Sequence, residues 1–168
     1  MHVLMRAETG RPDAQRGFTL IELVVAAGIL AVLAMGIIPV AKVASVRADE
    51  IELRRSLRTV RMAIDAYREA AEAGEIDPDF IEPDHENYPP DLEALVEGVP
   101  GPRGPDGRAP VLRFLRRLPA DPMTGRADWL RRSHQDDPER LSWGGQNVYD
   151  IRSASPRLAL DGTPYRSW

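Results

Sequence analysis

Glu22 is a carboxylate at the start of an apolar run, Phe18–Ala41 (FTLIELVVAAGILAVLAMGIIPVA). Leu23–Ala41 holds nineteen residues without a charge, enough for a helix to span a bilayer. A charged side chain in such a segment costs about 2.5–3.5 kcal/mol at a helix centre and less near an end. A carboxylate kept there implies a partner. Ahead of it, Met1–Gly17 is short and polar and ends in Arg16-Gly17. A secretory signal has its apolar core first and a small-residue cleavage site after it. Here the helical pattern runs straight through the nearest substitute, Ala41-Lys42-Val43-Ala44.

Other chemistry is sparse. His2, His85 and His134 are scattered, and no metalloprotease, phosphate-loop or nucleophile-elbow pattern occurs. Asp84-His85-Glu86 and Asp136-Asp137-Pro138-Glu139 read as solvated loops. Cysteine is absent, which excludes disulfides, thiolate nucleophiles and Cys-ligated metals. The net charge of −4 is mild, and arginines are interleaved with acids, so no nucleic-acid footprint is present. The reading is therefore of a non-enzyme.

Arg16-Gly17-Phe18-Thr19-Leu20-Ile21-Glu22-Leu23 resembles the processing site of type IV pilins and type II secretion pseudopilins. The resemblance implies a leader, residues 1–17, cut after Gly17 by a prepilin peptidase. It implies methylation of the new amine on Phe18. It also implies that Glu22 neutralises the N-terminal ammonium during assembly. A unit pair at 4 Å is worth about 1 kcal/mol in water and about 4 at an effective dielectric near 20.

The elements that must position these residues follow from the pattern. Leu53, Leu57, Val60, Ile64, Tyr67 and Ala71 form a stripe at helical period. Arg54, Arg55, Arg58, Arg61 and Arg68 fall off it, and Gly74 is the stop. One helix, 18–73, is predicted, with residues 18–46 for membrane and assembly and 47–168 for a globular domain. Pro39 is expected to kink it, since proline removes a backbone donor and crowds the preceding turn. Residues 90–97 read as a short helix, 98–107 as a solvent loop, and 120–146 as loop with one helical turn. Asn147–Ser153 is the best strand, with Tyr149 and Ile151 on one face, and 157–160 is a second strand before an Asp161-Gly162 turn. The fold class is α+β: a long N-terminal helix packed on a small antiparallel sheet, a type IV pilin-like arrangement.

Phe114–Pro122, Val148–Ser153, Leu160-Asp161-Gly162 and Trp168 are similar to segments of the major, G-type pseudopilins. Those proteins bind Ca²⁺ between their last strands, which makes Asp161 a candidate ligand. Residues 153–163 offer one carboxylate, two serine hydroxyls and backbone carbonyls. Arg157 opposes a cation, so an Asp-Gly turn held by its own backbone is the competing reading. The resemblance implies a single-pass protein of the bacterial inner membrane, its leader cytoplasmic and its C-terminal domain periplasmic. Its partners would be the prepilin peptidase, further copies and other pseudopilins in a helical filament, an inner-membrane assembly platform and the lipid bilayer. Its function would be that of a structural subunit of a type II secretion pseudopilus exporting folded proteins. Two alternatives are a type IV pilin for adhesion, motility or DNA uptake, and a membrane-anchored periplasmic enzyme or binding protein.

Overall fold

The computed structural model describes residues 17–140 and 142–168, with the backbone alone for residues 36–40. The chain divides into two compact units, one ending at Ala41 and the other Lys42–Trp168. The architecture is α+β, and the long helix α1 covers Leu20–Glu72.

In the first unit the described large apolar side chains are exposed, Phe18 ahead of α1 at 85% and Leu20 within it at 81%. Gly28 lies in an apolar notch between Val25, Ile29, Val32 and Leu33. Among the described residues, no helix is long and apolar enough to cross a membrane. The uncharged stretch Leu23–Ala41 includes residues 36–40.

Within the second unit, α1 buries the predicted stripe. Leu53, Leu57, Val60, Ile64, Tyr67 and Ala71 are all in the core, joined by Ala63 and Ala70 on the same face. The helix ends in a Schellman motif: Glu75 N–H donates to Ala70 O and Gly74 N–H to Ala71 O. Gly74 has φ +71°, which glycine adopts without a Cβ penalty. Ile76 then turns back into the core.

The helix α2, Glu93–Glu97, is shorter than the predicted 90–97. Asp91 Oδ1 accepts from Ala94 N–H at 2.7 Å and fixes its first turn. It stops at Gly98, with φ +89°. A Cβ on Gly98 would meet Leu112 O at 2.6 Å, so only glycine fits where the chain enters the next strand.

The sheet is divided in two. β1, Val99–Pro100, pairs antiparallel with β2, Val111–Leu112. β3, Leu130–Arg132, pairs antiparallel with β4, Asp150–Arg152. Four expectations are corrected. Val99 and Pro100 belong to a strand and not to the solvent loop. Leu130–Arg132, read as loop, is the partner of β4. Residues 157–160 contribute only a single bridge, Leu158 to Pro164. Val148 and Ile151 are both buried while Tyr149 is 36% exposed, so the faces differ from simple alternation. The reason is local. Val148 precedes the strand and its N–H is taken by Pro89 O, whereas Tyr149 N–H already donates to Arg132 O of β3.

Buried polar groups tie the loops to this frame. Asp121 is fully buried; its Oδ1 accepts from Met123 N–H, and its Oδ2 from Ser153 Oγ–H and Ala154 N–H. Asn147, also fully buried, accepts from His134 N–H and donates to Gln135 Oε1.

Candidate processing and assembly site

Gly17 and Phe18 lie outside the helix and are exposed. Among the described residues, nothing approaches within 4 Å of where a Gly17 Cβ would stand. The bond between them is therefore in open coil, where an enzyme can reach it. The rest of the leader lies outside the described residues.

Thr19 starts the helix. Its carbonyl accepts from Leu23 N–H at 3.1 Å, and its Oγ1 accepts from Glu22 N–H at 3.3 Å. Thr19-Leu20-Ile21-Glu22 is thus a capping-box sequence with glutamate at the third helical position. The sequence reading missed this, although the T-x-x-E signal was available. It explains why the glutamate sits one turn in: its backbone is held by Thr19 while its side chain stays exposed. Among the described residues, Glu22 makes no ion pair. The positive end of the helix macrodipole favours its charge there. Pro39 lies within the span of α1, and its side chain is outside the described residues.

The acid and histidine groups near 84–86 separate. His85 Nε2 is 3.3 Å from Glu82, and Glu86 instead meets His134 Nδ1 at 2.6 Å. These contacts bind one loop to another and present no open acid–base pair.

The candidate calcium ligand is committed elsewhere. Asp161 Oδ1 accepts from Thr163 Oγ1–H at 2.7 Å and Thr163 N–H at 2.9 Å. Those bonds, the hydroxyl first, hold its carboxyl below the usual carboxylate range. No cluster of three or more His, Cys, Asp or Glu able to hold a metal occurs among the described residues. Calcium needs six to eight oxygens, usually with several carboxylates, so this donor set does not fit it.

Side chains of α1 hold the C-terminal segment instead. Buried Glu50 accepts from Leu160 N–H at 2.8 Å and from Tyr165 Oη–H at 3.1 Å. Arg61 donates to Asp150 Oδ1 at 2.7 Å, Ile151 O at 3.1 Å and Trp168 O at 2.9 Å. Thermal melting of the Lys42–Trp168 unit is accordingly expected to be indifferent to added calcium or chelator. A calcium-dependent rise of the midpoint beyond about 3 °C, near 1 kcal/mol for a unit of this size, would contradict that.

Residues 12–38 match the family model described as the prokaryotic N-terminal methylation motif. The match contains Gly17, Phe18 and Glu22 and ends one residue before Pro39. The chain is 28% identical over 146 residues to the type II secretion system core protein G of Escherichia coli (strain K12). That alignment covers 86% of this chain and 83% of the relative. No solved structure matches at a significant level. The chain is thus similar to a G-type pseudopilin over most of its length. The motif coincides with the exposed coil and the capped first turn, and the alignment reaches well past it into the globular unit.

Proposed function

We propose that this chain is a G-type pseudopilin, anchored in the inner membrane by the first half of α1, cut after Gly17 and methylated on the new amine of Phe18. The leader faces the cytoplasm and the Lys42–Trp168 unit the periplasm. Copies then leave the bilayer for a helical filament, the pseudopilus, whose growth from an inner-membrane platform drives folded proteins across the outer membrane.

One observation carries this reading: an exposed Gly17-Phe18 coil leads directly into a Thr19-capped helix whose exposed Glu22 carboxylate, one turn in, makes no ion pair among the described residues. The ammonium on Phe18 of an adjoining copy is the natural partner for that charge. Packing both groups among apolar helices strands either one left alone, so the pair selects register between subunits. The exposed apolar face and the notch at Gly28 supply the close packing that helices use in the absence of water.

Glu22→Ala is expected to leave insertion and cleavage unchanged, with the mature chain still beginning at Phe18 by mass spectrometry. Filament yield should fall at least tenfold, roughly, because an unpaired ammonium remains in the packed core. Undiminished filaments from that variant would remove Glu22 from assembly.

A further inference from the structure

The second unit carries a charge asymmetry that its own contacts leave unspent. Residues 54–61 (RRSLRTVR) hold four arginines and no acid. Residues 75–86 (EIDPDFIEPDHE) hold six carboxylates and neither lysine nor arginine.

The arginine side opens as a groove of about 730 Å³ lined by Arg54, Leu57, Arg58, Met62, Asp65 and Trp168, with Arg61 and Asp161 at its margin. Arg61 is spent on Asp150 and the 151 and 168 carbonyls, and Asp161 on Thr163. Arg54 stacks over the Trp168 ring at 4.3 Å. Arg58 makes no ion pair among the described residues, nor does Asp65 at the far end. The groove therefore has an apolar floor, including Met62 at 64% exposure, beneath two available guanidiniums.

The acidic loop is its complement. Phe80, 54% exposed, sits in the short turn Pro78–Phe80, with Asp79 beside it and Asp84 beyond. Glu82 and Glu86 are occupied by His85 and His134, whereas Asp79 and Asp84 make no ion pair among the described residues. The loop is pre-formed. Asp77 N–H donates to Pro100 O, Asp77 Oδ1 caps the turn through Asp79 N–H, and Gln135 Nε2–H reaches Asp84 O. A fixed aromatic knob flanked by carboxylates suits a greasy slot flanked by guanidiniums.

Both parts belong to one chain, and among the described residues no ion pair joins one to the other. We propose that the groove beside Trp168 receives the acidic 75–86 loop of a second copy, with Phe80 over Met62 and Asp79 and Asp84 on Arg58 and Arg54. It rests on the reading that the chain polymerises.

The absence of cysteine makes the test clean. The full chain carrying both Arg58→Cys and Asp79→Cys, treated in assembling cells with a short bis-maleimide cross-linker, should give a ladder of cross-linked multimers. Its yield should exceed that of either single variant at least tenfold, roughly; the linker is needed because an arginine–aspartate pair holds its Cα atoms farther apart than a direct disulfide can bridge. Filaments of chains beginning at Phe18 that show no ladder would overturn the docking and leave polymerisation standing. Wild-type chains that stay uncut and form no filament would overturn both. In parallel, Arg58→Glu should reduce filament yield about fivefold and Asp79→Arg should restore it in the same chain. Failure of that reversal to restore assembly also counts against the contact.

Discussion

Gly17→Leu is expected to leave the chain uncut, with its first seventeen residues still attached in the membrane fraction. Among the described residues, nothing stands within 4 Å of a Cβ built on Gly17, and Phe18 beyond it is exposed. Leucine therefore fits the free chain without strain, and helix α1, capped by Thr19, is untouched. Any loss of cutting arises where the peptidase grips the bond. A pocket shaped around a residue with no side chain discriminates each added methylene by about 1–3 kcal/mol. Four added carbons make a fall of at least 10²-fold, roughly, the conservative expectation. Mass spectrometry of the N-terminus reads the outcome directly. A variant that still begins at Phe18 would show that glycine is not what the peptidase selects.

Asp121→Ala should be strongly destabilising to the globular unit. Its carboxylate is fully buried and serves three donors: Met123 N–H at 2.8 Å, Ser153 Oγ–H at 2.7 Å and Ala154 N–H at 3.3 Å. The first closes the turn after Asp121; the other two tether the segment that leaves β4. Alanine leaves these donors facing a small void, and each buried unsatisfied group costs about 1–3 kcal/mol. The summed loss is about 4 kcal/mol, a large part of the 5–15 kcal/mol typical of a domain. For a unit of this size that lowers the melting midpoint by about 15 °C. Asp121→Asn keeps one acceptor oxygen and should lose less than half as much. Circular dichroism melts of the Lys42–Trp168 unit check both, and equal, small losses would mean the tether contributes little.

How legible each part was depends on the reach of the interaction that fixes it. The stripe from Leu53 to Ala71 repeats every three or four residues, so its buried face follows from helical period alone, and Gly74 stops the helix for a reason local to its own φ. The Thr19 cap is equally local, encoded in a hydroxyl three residues before Glu22. β4 was visible in part, from its β-branched and aromatic residues. Its partner β3 was not, because Leu130-Arg131-Arg132 carries little strand signal and pairs only because β4 is there to meet it. The strand expected at 157–160 failed for the converse reason: its backbone is spent on local turns and on Glu50.

The amino-acid order on its own determined the match to the methylation motif, the helix that follows it and the face which that helix buries. Each of these is written in contacts between residues a few positions apart. Only the tertiary structure decided what holds the end of the chain. Glu50 meets Leu160 and Tyr165 across 110 and 115 positions, Arg61 meets Asp150 across 89, and Asp121 meets Ser153 across 32. No periodicity links such partners. Their pairing is fixed by the need of buried polar groups for a partner once the core has closed around them.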